Sequence, residues 1–186
     1  MTTSDPHLTS LAGDSMDTPH TTSHDATKAA HLVTDPSSSD LRIFRPTFSP
    51  GSCYLLRDAA EEAYFSRHGG APEAPLIEWA TQFIAHDETF VDIGAHVGTW
   101  AQHFALKCKQ VHAFEPQPST YERLLGGARL AKLRNVTCHD VALGSQGELD
   151  LHIVSVDGGG STLRHRQELG SVLGVERVRC AQLDDF

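Results

Sequence analysis

The chain is short of several things, and each shortage excludes something. No apolar run among its 186 residues is long enough to cross a membrane, so no membrane span is expected. The first residues carry neither a basic stretch nor an apolar one after it, so no secretory signal is read there and a cytoplasmic location is expected. Basic residues are few, with 15 Lys and Arg against 24 Asp and Glu, a net charge of −9 and a pI near 5.7. Nucleic-acid binding relies on Lys and Arg neutralising phosphates, so no nucleic acid is expected as a partner. The four cysteines, Cys53, Cys108, Cys138 and Cys180, form no C-x-x-C pair, and they are expected to be reduced and mostly buried. The histidines are scattered. His96 and His103 fall on one helical face, but no third ligand stands at a metal-binding spacing, so no metal site is expected.

Hydrophobic residues make up 39% of the chain, a little low for a globular protein. The deficit sits in residues 1–40, which are rich in Thr, Ser, Asp, His and Pro. Such a segment buries too little surface to offset its ordering entropy, so it is read as a disordered acidic tail. Residues 41–73 read as a lead-in: an extended stretch with two prolines, then a helix from Tyr54 to Arg67 stopped by Gly69 and Gly70. A second helix is expected from about Pro75 to Ala85, with Leu76, Ile77, Trp79, Ala80, Phe83 and Ile84 on one broad apolar face.

From Phe90 the rhythm changes. FVDIG reads as a strand, Gly98–Lys107 as a helix, VHAFEP as a strand, Ser119–Leu130 as a helix, and NVTCHDVALG as a strand. Strands alternating with crossover helices make an open parallel sheet, an α/β Rossmann-like fold. After Gly144, ELDLHIVSV and VERVRCAQL alternate with period two around a glycine cluster, DGGGSTL, and read as antiparallel strands.

In such a sheet, ligands bind beyond the carboxyl ends of the strands. Gly94 and Gly98 stand at the end of the first strand, and Glu115 ends the second, where an acid can accept hydrogen bonds from ribose hydroxyls. Two cofactor classes fit these residues: a nicotinamide or flavin dinucleotide, and S-adenosyl-L-methionine. The dinucleotide turn is G-x-G-x-x-G, whereas this chain has Gly94-Ala95-His96-Val97-Gly98. Asp92 weighs against diphosphate. A carboxylate there repels it by several kcal/mol at an effective dielectric of about 20, and attracts a sulfonium or ammonium. Asp92 could also cap the turn that follows, a role compatible with a ligand. Asp140 ends the third strand, where it could accept from an adenine amino group or simply form a turn.

Five blocks then agree in order and spacing: FVDIGAHVG, AFEPQPSTYERL, NVTCHDVALGSQGELDL, GGGSTL and LDDF. Together they resemble the FkbM-type methyltransferases over residues 74–186. The resemblance implies a class I S-adenosylmethionine-dependent methyltransferase fold, and O-methylation of a hydroxyl on a small molecule or carbohydrate. It places Asp92, Gly94, Ala95 and Gly98 at the cofactor turn, Glu115 on the ribose and Asp140 near the adenine. His96 stands where that family more usually has Asn. The family's next strand, I-K-I-D-x-E-G, has no counterpart before Phe186. The domain is therefore expected to be incomplete at its C-terminal side: a fragment of a longer enzyme, a chain whose sheet a partner chain completes, or a truncated non-catalytic remnant. His152, Asp157 and His165 lie where an acceptor could approach, but none is assigned as a catalytic base.

Overall fold

The computed structural model describes residues 40–145, 147–154, 161–162 and 172–186. Apart from Asp40, the acidic tail lies outside them, as do Asp157, His165 and most of the glycine cluster.

The lead-in is a hairpin and a helix. Strand β1 (Arg42–Phe44) pairs antiparallel with β2 (Tyr54–Leu56), Phe44 opposite Tyr54. The sequence reading had a helix begin at Tyr54. Instead Tyr54 and Leu56 point together into the core with no exposed area, the period-two pattern of a strand. The helix α1 (Ala59–Arg67) begins only after Asp58, whose carboxylate caps it by accepting the Glu61 N–H at 2.8 Å. Helix α2 (Ala74–Ala80) continues as one 3₁₀ turn, Thr81–Phe83. Its expected broad apolar face is corrected. Ala74 and Ile77 are buried, while Leu76, Trp79 and Phe83 are 49%, 56% and 64% exposed. Phe83, at the end of the 3₁₀ turn, packs edge-on against the exposed Trp79.

Three parallel strands follow in the spatial order β3 (Thr89–Ile93), β4 (Gln110–Phe114), β5 (Val136–His139). Helix α3 (Thr99–Ala105) crosses from β3 to β4, and α4 (Pro118–Leu130) from β4 to β5. The register sets Asp92 opposite Ala113 and Ile93 opposite Phe114. It also sets Phe114 opposite His139. This is the expected α/β Rossmann-like unit. Because strand side chains alternate, the two faces differ. Val111 and Ala113 point to the helices and form one core with Phe104 of α3 and Leu124 of α4, both fully buried. Burying two such side chains contributes roughly 1.5–3 kcal/mol each. On the other face, Val91 and Ile93 are exposed. His112 and His139 there share a hydrogen bond, Nδ1 to Nε2, of 3.1 Å, and Phe114 and Phe186 pack on His139.

The last sheet has the order β6 (Ala142–Leu143), β8 (Gly174–Ala181), β7 (Gly147–Ile153). Strands β7 and β8 are antiparallel, as read from their alternation; β6 runs parallel to β8. The single strand expected at NVTCHDVALG is thus two, broken at Asp140-Val141 where the chain leaves one sheet for the other. All four cysteines are free thiols, three of them buried. No helix among the described residues is long and apolar enough to cross a membrane.

Three buried polar contacts tie the lead-in to the parallel unit. The Gln102 amide oxygen of α3 accepts the Cys53 N–H at 2.8 Å. Arg123 of α4 clamps both oxygens of Glu61 at 3.1 and 2.8 Å. His103 bridges Ser49 and Thr81. Thr81 gives its hydroxyl proton to the Ile77 carbonyl, so it must accept from His103 Nε2–H, leaving Nδ1 to accept from Ser49. Burial lowers the His103 pKa, with Lys107 adding to the effect, which favours this neutral tautomer.

Candidate functional site

The glycine turn joins β3 to α3 at the carboxyl end of the parallel strands. Gly94 and Ala95 both donate to the Phe114 carbonyl at 2.9 Å, so the turn is pinned to the neighbouring strand. Three residues of the turn are left-handed: Gly94 at φ 80°, His96 at φ 52° and Gly98 at φ 87°. A Cβ on Gly98 would lie 2.6 Å from Leu124 Cδ1, so glycine is required there by both torsion and packing. A Cβ on Gly94 would meet no atom within 4 Å, so torsion alone selects it. His96 is the one position in the turn where a side chain occupies this region. Asn, Asp and His tolerate it best among non-glycine residues, so His in place of the Asn expected by resemblance keeps the backbone path.

Two carboxylates hold the turn. Asp92 Oδ2 accepts the Ala101 N–H at 2.9 Å. Gly98, the cap residue of α3, offers no side chain, and Asp92 takes over as a cap from the preceding strand. Glu115 is buried and accepts from His96 N–H through Oε2 and Gln117 N–H through Oε1, each at 2.9 Å. Burial pushes the Asp92 carboxyl up to about 7; the Ala101 N–H opposes the rise, and Glu115 and Glu73 add to it. Burial raises Glu115 as well, against the Gln117 and His96 N–H groups and the more distant Arg123. Among the described residues no Lys or Arg forms an ion pair with either acid. The turn therefore gathers two carboxylates, with His96 and the more distant Arg123 favouring charge on Glu115. Each carboxylate oxygen has a second lone pair, so a ligand can still donate to it.

Beside Glu115 opens a cleft of about 260 Å³. Pro116, Pro118, Tyr121 and Glu122 line it from the loop after β4 and from α4; Asp140 lines it from the end of β5; Arg177, Val178 and Arg179 line it from β8. That volume suits part of a ligand, such as one base, and falls just under the range for whole small molecules.

The structure brings Asp92, Gly94, Ala95, His96, Gly98 and Glu115 together at one turn. Asp140 stands apart from them, in the adjoining cleft, with its carboxylate on the Arg179 guanidinium. The two places are linked through the Glu115 N–H, which donates to the carbonyl of His139, the residue before Asp140. His152 lies within β7, opposite Val175 and bridged to Thr162. Sequence reading missed Glu73 and Trp100. The indole N–H of Trp100, on the first turn of α3, donates to Glu73 at the start of α2, and Glu73 thereby joins the field on Asp92. It also missed Arg179, whose approach to Asp140 is purely tertiary.

No family model matches the chain, and no curated protein matches it. Solved structures do resemble it. Trm5b from Pyrococcus abyssi is 21% identical over 55% of this chain and 32% of its own, with a TM-score of 0.43. The SAM-dependent methyltransferase from Agrobacterium tumefaciens is 14% identical over 54% and 32%, with a TM-score of 0.42. TYW2 of M. jannaschii, solved in complex with AdoMet, is 20% identical over 57% and 52%, with a TM-score of 0.37. The chain thus spans about a third to a half of the length of these proteins. Likenesses this loose decide nothing about activity, which has to be read from the site.

Proposed function

We propose that the chain binds S-adenosyl-L-methionine and belongs to a methyltransferase of the FkbM type, acting on a hydroxyl of a small molecule or carbohydrate. The observation that carries this reading is the pair of carboxylates at a glycine turn, Glu115 buried and Asp92 half-buried, neither in an ion pair with Lys or Arg among the described residues. A diphosphate would be repelled there; a sulfonium and an ammonium would be attracted. When bound, the cofactor supplies an electrophilic methyl group. In this reading Glu115 accepts from the ribose hydroxyls, the left-handed turn lets the backbone come close, and Asp92 faces the positive end. Asp140 receives the amino group of the base in the cleft. The residues in hand position and orient; none is assigned as a base for the acceptor hydroxyl.

A second reading, a cofactor-binding remnant without catalysis, is favoured by one observation. Strand β3 is an edge of its sheet among the described residues, and its Val91 and Ile93 are exposed. An open edge beside an exposed apolar face invites another strand, so in this reading a partner chain covers it and the chain serves as a cofactor-binding module. Sedimentation of the pure chain, with turnover measured in parallel, separates the two.

The binding test is calorimetric titration with S-adenosylmethionine and its demethylated product. Glu115→Ala is expected to weaken binding by on the order of 1.5–3 kcal/mol, the loss of a charge-assisted bond. Unchanged affinity would remove Glu115 from the site. Tight NADH binding with no response to S-adenosylmethionine would overturn the whole reading.

A further inference from the structure

Resting on that reading, we infer that Arg179 is a base-recognition residue: its guanidinium covers a purine in the cleft beside Glu115, and it yields Asp140 to the amino group of that base. Three observations converge. Across the β7–β8 ladder Arg179 stands opposite Glu148, the partner it would be expected to take. Glu148 is bonded instead by Arg177, which also takes Asp150 at 2.8 Å. Arg179 turns the other way and reaches Asp140, in the break between β5 and β6. In doing so it lines the cleft, facing a set of walls from the other side made by Pro116, Pro118 and Tyr121.

The lining is mixed: Pro116, Pro118, Tyr121 and Val178 offer apolar surface, and Glu122, Asp140, Arg177 and Arg179 offer charge. A guanidinium stacks on aromatic rings and an ammonium does not, so Arg and Lys differ at such a place. The ion pair with Asp140 is exposed, with side-chain exposures of 65% and 55%. Pairs of that kind contribute little and exchange partners readily. A base entering the cleft can therefore exchange one partner of Asp140 for another while the guanidinium moves onto the ring.

The experiment titrates S-adenosylhomocysteine into the full chain and its Arg179→Ala, Arg179→Lys and Glu115→Gln variants, with thermal melts as a check of folding. Position 179 is exposed, so its variants should fold. Both Arg179 variants are expected to bind about 5- to 10-fold more weakly, since Lys keeps the charge and loses the plane. Wild-type affinity in Arg179→Lys would overturn the stacking role. Unchanged or tighter binding by Arg179→Ala, with Glu115→Gln still weakened, would overturn the inference and leave the cofactor reading standing. No binding by the wild-type chain would overturn both.

Discussion

Two buried acidic places in this molecule are built on opposite principles. At the junction of α1 and α4, Glu61 is enclosed with Arg123, and both carboxylate oxygens receive the guanidinium. At the glycine turn, Asp92 and Glu115 receive backbone N–H groups alone, and each raises the cost of charge on the other. The first arrangement is complete without anything from outside. The second is not, because among the described residues no Lys or Arg forms an ion pair with either carboxylate, and His96 and Arg123 act on Glu115 alone. The contrast separates an acid that serves the fold from acids that serve the fold and leave capacity for a ligand.

The largest effect should come from breaking the complete pair. Arg123→Met leaves Glu61 buried without its cation and is expected to cost about 3–5 kcal/mol in urea unfolding. The double variant Glu61→Met with Arg123→Met should recover most of that, because paired removal leaves no stranded charge. A double variant as unstable as the single one would show that Glu61 and Arg123 matter for other contacts.

The turn that carries the second pair can be loosened by degrees. Gly98→Ala meets both a left-handed torsion and the buried Leu124, and is expected to cost about 2–4 kcal/mol. Gly94→Ala meets the torsion alone and should cost about 1–2 kcal/mol. Equal costs at the two sites, measured by chemical denaturation, would mean that Leu124 gives way and that the turn is not packed as tightly as Gly98 implies.

How much of this was legible beforehand follows from the range of the forces involved. The β3–α3–β4–α4–β5 run was readable because its periodicity is local and both β3 and β4 run into a Gly or Pro, Gly94 and Pro116. Asp92, Glu115 and Asp140 were readable as strand-end acids for the same reason. The strand at Tyr54–Leu56 was not, since three residues beside a helical pattern carry no period of their own and β1 decides the matter. The exposure of Trp79 and Phe83 was likewise hidden, because which part of a broad apolar face meets the core is decided by tertiary packing and not by helical spacing. The two acidic places looked alike in sequence. What distinguishes Glu61 is an arginine 62 residues away, and no local pattern reports that.

The finest test of the contrast is titration of the turn itself. In the folded chain Asp92 is raised to about 7, against about 3.9 for an unperturbed Asp. Between those two values the native state holds a proton that the unfolded state has released. This group's contribution to stability is therefore full below about pH 4 and is lost as pH rises through about 7. Asp92→Asn keeps an oxygen to accept the Ala101 N–H and removes the titration. The variant is expected to match wild type below about pH 4 and to exceed it increasingly as pH rises to 8, with a flatter profile between. A cationic ligand should do by binding what the substitution does by chemistry. At pH 7 it lowers the Asp92 pKa and expels the proton, so the binding enthalpy of S-adenosylmethionine should vary with the ionisation enthalpy of the buffer. Parallel stability profiles for wild type and Asp92→Asn would place Asp92 among ordinary ionised carboxylates and dissolve the distinction between the two acidic places.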